Sequence, residues 1–391
     1  MKVAGLMSGT SLDGIDVALL QVEGTGPGDF RWSLEGFRTA PYSPAQQELI
    51  REAAEGRATT PEVARLHVYL GEWFAGALQE LLEEVGVAPS EVAVVGSHGQ
   101  TVRHDPPRGS ERGFSLQLGD PATLAERGGV AVVSDLRARD LAAGGHGAPL
   151  VPRADLFLFH EPGRGRALQN LGGMGNVTWL PPSGRAEEVV GFDTGPGVAL
   201  LDEAARRATG GKWRLDRDGS LARRGRVDEA VLARMLEDPF FLTEPPRSTG
   251  RERFGGSFLD RHAEGLLSSE PLKALPPEGE PGPWEDLLAT LTALTARSVG
   301  DAYRRWVLPR GVDEIFLLGG GRRNPALVEA LARELEGVPV KGGEALGMDP
   351  DAREAAAFAV LAWCHLRGEP GNLSQVTGAR GERVLGSFTP A

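Results

Sequence analysis

Residues 2–23 read KVAGLMSGTSLDGIDVALLQVE, and residues 166–180 read RALQNLGGMGNVTWL. In each, a short apolar run breaks at a glycine-rich turn and a second apolar run follows. Each therefore predicts a hairpin, pairing 2–7 with 15–22 and 167–171 with 177–180. The same unit at the start of both halves predicts a duplicated architecture. Working outward, residues 31–39 predict a third strand. Residues 61–85 predict a helix whose broad apolar face carries Leu66, Leu70, Trp73, Leu78, Leu81 and Val85. Residues 92–95 read as a buried strand whose end presents Gly96-Ser97-His98-Gly99-Gln100-Thr101, and 130–133 as another strand. Asp120-Pro121 reads as a helix cap followed by a first-turn proline. In the second half, the strand 315–318 feeds Gly319-Gly320-Gly321 and a helix capped by Asn324 and opened by Pro325. Residues 268–283, rich in proline and glycine without periodicity, read as a surface excursion. Both halves are α/β.

The length of 391 residues suits two domains, and 41% hydrophobic content supplies their cores. Forty-two basic against 54 acidic side chains give a net charge of -12, which disfavours nucleic acid and anionic membrane surfaces as partners. The single cysteine, Cys364, excludes an intramolecular disulfide and every multi-cysteine zinc pattern; within the apolar helical run 355–366 it reads as a buried thiol. The opening MKVAGLMSGT lacks a signal-peptide core, and no stretch approaches ~20 unbroken apolar residues, so the expected compartment is the cytoplasm.

The patterns GxxxxGK[ST], GxGxxG and HExxH are absent. What remains is a set of glycine turns, 9–14, 172–176, 195–197 and 319–321, whose successive amides suit an anion. Any one of them equally serves a turn that needs positive φ. Asp193, just before Gly195-Pro196-Gly197, either caps the helix 198–208 or stands free to take a proton from water or a hydroxyl. His98 and His104 fall on an expected loop without an evident third ligand, which disfavours a metal pair. Gln100 and Thr101 read better as hydrogen-bonding substrate contacts. Arg137, Arg139 and Asp140, before Gly144-Gly145-His146-Gly147, form either a solvated loop or an anion site for a substrate carboxylate. Glu354 is either a helix-surface charge or a cleft residue.

A resemblance joins these pieces. GLMSGTSLDGID (5–16), SHGQTVRHDP (97–106), QLGDPATLAE (117–126), GGVAVVSDLRARDLAAGGHGAPLVP (128–152), NLGGMGNVTWL (170–180), GFDTGPG (191–197), PRSTGRERFG (246–255), LLGGGRRNPAL (317–327) and EAAAFAVLAW (354–363) run in order. Together with VTGA (376–379) and VLG (384–386), they closely resemble the anhydro-N-acetylmuramic acid kinase family. That resemblance implies two related lobes of the actin-like ATPase (ribonuclease H-like) type around an active-site cleft. The first lobe is expected over 1–163 plus 372–391 and the second over 164–371. It implies ATP held by a first phosphate hairpin of Gly9, Thr10, Ser11, Leu12, Asp13, Gly14, Ile15 and Asp16. A second hairpin of Gly172, Gly173 and Asn176 and an adenosine loop of Gly319, Gly320, Gly321 and Asn324 complete the nucleotide contacts. Asp13 and Asp16 are the expected Mg²⁺ holders, through water. Asp193 matches the family's catalytic base and Glu354 a carboxylate close to the sugar, with Gln100, Thr101, Arg137, Asp140, His146 and Gly195 as further substrate contacts. A homodimer is implied.

The implied reaction is hydrolytic opening of the 1,6-anhydro bridge of 1,6-anhydro-N-acetylmuramic acid coupled to phosphorylation of O6, within peptidoglycan recycling. Rival readings are a related sugar kinase without ring opening, an actin-like or chaperone-like nucleotide switch, and a sugar-sensing pseudo-enzyme. The chain departs from the family pattern at His146, where glutamine is usual, at Val198, where asparagine is usual, and at Gly175, where alanine is usual.

Overall fold

A computed structural model describes residues 1–107, 109, 111–264, 270–272, 274–275 and 277–391. Of the expected excursion 268–283, residues 268, 269, 273 and 276 lie outside the described residues. The chain forms two compact units: Met1–Pro162 with Gly184–Val189 and Asp351–Ala391, and Gly163–Ser183 with Val190–Pro350.

In the first unit, β1 (Lys2–Ser8), β2 (Gly14–Glu23) and β3 (Arg31–Pro41) form an antiparallel meander. On the other side of β1 lie β4 (Val92–Asp105) and then β6 (Val132–Ser134), both parallel to their neighbours. A parallel neighbour cannot be reached by a tight turn. Helices Pro44–Ala54 and Thr60–Val85 make the crossing from β3 to β4. The longer helix starts where Glu62 accepts from the Thr59 amide at 2.7 Å, and ends at left-handed Gly86. Val3, Ala4, Val17, Ala18, Leu19 and Leu20 are sealed on both faces of the sheet. In the second unit, β7 (Arg166–Leu171), β8 (Met174–Leu180) and β9 (Val190–Pro196) repeat the meander. There β10 (Glu314–Leu318) lies parallel beside β7 and β11 (Val340–Gly342) parallel beside β10. The first sheet thus runs β3-β2-β1-β4-β6 and the second β9-β8-β7-β10-β11, the same ribonuclease H-like order. The first sheet adds β5 (Phe114–Leu118) against β4 and the last strand, β12 (Ser387–Thr389), against β6.

The structure corrects four local expectations. Residues 97–101 are not a strand end: β4 continues to Asp105 because β5 pairs with Gln100–Asp105, so His98 and His104 stand on a strand and not on a loop. The second hairpin turn narrows to Gly172-Gly173, since Gly175 and Asn176 pair within β8. Asp193 does not cap a helix; it lies inside β9, and helix Ala199–Ala208 begins after Val198. Finally, the return to the first unit comes at Asp351, earlier than 372. The reason is helix Arg353–Leu366, which is apolar nearly all round and seats its alanines on β1 and β4. A Cβ at Gly5 would fall on the Ala355 carbonyl oxygen, and one at Gly96 on that of Phe358. Cys364 is buried in this helix, and burial pushes its thiol up to about 12.

Candidate active site

In the second unit, Asn176 pairs with Asp193 and Gly175 with Gly195, so Thr194 is the extra residue of a β-bulge next to Asp193. The Thr249 amide donates to Asp193 Oδ2 at 2.8 Å. Arg247 Nε donates to the Asp193 carbonyl at 2.9 Å, and the Asp193 amide donates to the Arg247 carbonyl at 3.1 Å. The same guanidinium reaches the Phe240 carbonyl at 3.1 Å and that of Thr243 at 2.9 Å. It lies 4.4 Å from the Trp306 ring centroid and 4.6 Å from that of Phe240. Desolvation by burial raises the Asp193 carboxyl to about 7; the Thr249 amide and Arg247 oppose the rise and Glu252 adds to it. A half-buried carboxyl poised near neutrality is suited to general-base work.

The glycine turns of this unit meet one another. The Gly172 carbonyl accepts from the Val198 amide at 2.9 Å, and the Gly173 carbonyl from the amides of Gly197 and Ala199 at 3.0 and 3.1 Å. These bonds tie the turn to the start of helix Ala199–Ala208, while the Gly172 and Gly173 amides donate to no acceptor among the described residues. Gly319, at φ 75°, packs so tightly that a Cβ would stand 3.0 Å from the Gly172 nitrogen. A Cβ at Gly321 would meet Leu171 at 2.8 Å, whereas Gly320 faces open space. Asn176 stands on β8 between Asn170 and Asp193. Asn324 is occupied otherwise: its Oδ1 caps helix Pro325–Glu334 by accepting from the Leu327 amide at 3.2 Å. Gly195 is buried, and a Cβ there would meet Phe241 at 2.9 Å and Ser298 at 3.1 Å.

In the first unit, the β1–β2 turn holds Gly9, Thr10, Ser11, Leu12 and Asp13, with Leu12 left-handed at φ 60°. Gly14 and Ile15 are buried at the start of β2, where the strand expected over 15–22 begins. Asp16 accepts from Thr39 Oγ1 at 2.5 Å. Burial raises its carboxyl to about 6; Thr39 opposes this, and Glu354, Asp351 and Asp13 add to it. Glu354, exposed in the first turn of its helix, also acts on Arg137, whose pKa burial lowers to about 10. Arg137 Nη2 lies 2.7 Å from His98 Nε2, and Nη1 donates to the Gly147 carbonyl at 2.6 Å. Burial pushes His98 down to about 3, so it is neutral. Its Nδ1–H donates to the Gly99 carbonyl at 2.8 Å and its Nε2 accepts from Arg137. Both ring nitrogens are thereby engaged, and His104 Nδ1 lies 2.9 Å from Ser115 Oγ.

Two expected sugar contacts, Asp140 and Gln100, are turned inward. Asp140, fully buried, accepts from the Gly147 amide at 2.7 Å and from Asn372 and Thr377 at 2.6 Å each, so it fastens the 144–147 turn. Gln100, also fully buried, accepts from Ser8 Oγ at 2.5 Å, and that hydroxyl lies 2.8 Å from the Tyr42 hydroxyl. Thr101 accepts from Gln117 at 3.1 Å. His146 is half-buried on the turn and bonds to the Thr377 carbonyl through its amide at 2.8 Å. Sequence reading missed Arg247, Thr249 and His98 as partners of the chemical groups. The string PRSTGRERFG was the available signal for the first two.

Two sheets in the ribonuclease H-like strand order give the chain an actin-like ATPase type of fold, and the second carries open glycine amides beside a buried carboxyl raised toward neutrality. The profile of the anhydro-N-acetylmuramic acid kinase family matches residues 1–391. A relative of that name from Gloeobacter violaceus is 44% identical, covering 99% of this chain and 98% of its own. Another from Caldanaerobacter subterraneus subsp. tengcongensis is 42% identical over 99% and 96%, as is one from Salinibacter ruber. The chain belongs to the anhydro-N-acetylmuramic acid kinase family. Among the described residues no helix is long and apolar enough to cross a membrane.

Proposed function

We propose that the chain uses ATP to open the anhydro ring of 1,6-anhydro-N-acetylmuramic acid and phosphorylate O6, giving N-acetylmuramic acid 6-phosphate and ADP in peptidoglycan recycling. The observation that carries this reading is the Asp193 carboxyl, fixed by the Thr249 amide and raised to about 7. Asp193 takes a proton from water as the water oxygen bonds to C1. The C1–O6 bond breaks, and O6 attacks the γ-phosphorus as ADP leaves. Such water activation corresponds to half of an inverting glycosidase, with the phosphoryl group replacing the general acid's proton on O6. Gly172 and Gly173 offer amides to the phosphates, and the turn Gly319, Gly320 and Gly321 lies against them. The family resemblance assigns phosphate contacts to the turn Gly9–Asp13 as well.

Asp13 and Asp16 fit Mg²⁺, because their donors are all oxygen and the acidic neighbours that raise Asp16 favour a cation there. Magnesium keeps most of its water, so two carboxylates suffice to hold it. Magnesium supplies charge neutralisation for phosphoryl transfer when bound. Arg137, held by His98, is the cation for the sugar's carboxylate, and Glu354 accepts a sugar hydroxyl. We assign the protein to the cytoplasm and to a homodimer on the family resemblance.

The test is the mass of the sugar product after incubation with Mg-ATP and the anhydro sugar. The reading requires the mass of the substrate plus one phosphoryl group plus one water. A phosphorylated product without the added water would leave a kinase that does not open the ring.

A further inference from the structure

Most of the string PRSTGRERFG has a structural assignment. Arg247 and Thr249 hold Asp193, Arg253 pairs with Asp238 at 2.5 Å, and Phe254 is fully buried. Arg251 is left over. It is exposed, and among the described residues no acceptor or acid lies within hydrogen-bond or ion-pair distance of it. Its guanidinium nevertheless lies over the β7–β8 turn: a Cβ built on Gly173 would stand 3.6 Å from Nη2 and 3.7 Å from Nε. Asp202, in the first turn of helix Ala199–Ala208, feels this charge without pairing to it. Arg251 thus adds a full positive charge to two amides that already lack acceptors. An unpaired cation there adds little to folding and concentrates positive potential at one point.

We propose that Arg251 is a catalytic residue that contacts the terminal phosphoryl group of the nucleotide, alongside the amides of Gly172 and Gly173. The assignment rests on the kinase reading above. In phosphoryl transfer, negative charge is spread over the equatorial oxygens of the moving group, and a guanidinium can bind two of them at once. Arg251 and the Asp193 clamp then belong to one ten-residue segment, so the same segment positions both the base and the phosphate contact.

The experiment compares wild type, Arg251→Ala, Arg251→Lys and, as a control, Arg223→Ala, whose exposed side chain pairs with Glu329. Calorimetric titration with Mg-ATP and Mg-ADP, without sugar, is read beside steady-state kinetics. Arg251→Ala is expected to weaken ATP by roughly tenfold or more while leaving ADP nearly unchanged, as befits one charge-assisted contact to the last phosphate. Its kcat is expected to fall roughly 10²- to 10³-fold, with the sugar KM unchanged and partial recovery in Arg251→Lys. Equal losses of ATP and ADP, or a kcat close to wild type, would overturn the Arg251 assignment alone. Absence of sugar phosphorylation by the wild-type chain would overturn the kinase reading and this inference with it.

Discussion

The Thr249 amide sits 2.8 Å from Asp193 Oδ2, and this bond joins a loop residue to a strand carboxylate 56 positions earlier in the chain. It fixes one oxygen and leaves the other for a substrate proton. Together with the Arg247 carbonyl and guanidinium contacts it holds the acid at a bulge of β9, where burial lifts its pKa.

Replacing the acid tests its role directly. Asp193→Asn keeps an acceptor for the Thr249 amide but removes the base. We expect kcat to drop ~10²- to 10⁴-fold with nucleotide affinity unchanged, measured by ADP release and calorimetry. A rate near wild type would remove Asp193 from the role.

The acid limb of the pH profile follows from the same group. A base must be deprotonated, so kcat/KM should fall as pH drops below about 7 and level off above it. Glu252→Gln removes a charge that raises Asp193, and the limb should move to lower pH. An unmoved limb would mean that another group titrates.

Stability carries the opposite sign. Folded Asp193 titrates at about 7 against an ordinary 3.8, so between those values the folded chain binds more protons than the unfolded one. Stability from this group is therefore present at low pH and lost as pH rises through that window. Asp193→Asn should melt higher than wild type at pH 8, and the gap should shrink towards pH 4. A gap that does not change with pH would contradict this.

His98 holds Arg137 at 2.7 Å and is itself neutral and buried. Removing the acceptor frees the guanidinium to rotate away. His98→Phe should raise the KM for the sugar while leaving the KM for ATP unchanged, and Arg137→Ala should do the same more strongly. Parallel changes in both KM values would point to general damage of the unit.

The helix Arg353–Leu366 depends on a seam without side chains. Because a Cβ at Gly5 would strike the Ala355 carbonyl, Gly5→Ala must push the helix off β1. Urea unfolding should show a loss of roughly 1–3 kcal/mol or more, as for other overpacked cores. No loss would mean the helix is seated more loosely than the structure has it.

The two hairpins were legible because glycine punctuates short apolar runs, and their repetition announced the duplication. The second turn read too long, because Gly175 looks like turn chemistry but pairs inside β8 opposite Leu171. Residues 97–101 read as a strand end because β5, the partner that extends β4, lies beyond an intervening loop and leaves no local mark. Helix 355–366 was evident from its apolar run, but its membership of the first unit depends on Gly5 and Gly96, which lie hundreds of residues earlier. Asp193 stood out from its string, whereas Arg247 and Thr249 are linked to it only through space. Asp140 and Gln100 show the converse limit: polar residues in a promising string are consumed by internal hydrogen bonds.

The central claim is that water opens the ring while O6 takes the phosphoryl group. Turnover in ¹⁸O-labelled water, with the position of the label read by fragmentation mass spectrometry, tests it most directly. The account predicts one solvent oxygen at C1 of the phosphorylated sugar and none in the phosphate. A phosphorylated sugar with no label at C1, or label in the phosphoryl group, would contradict it.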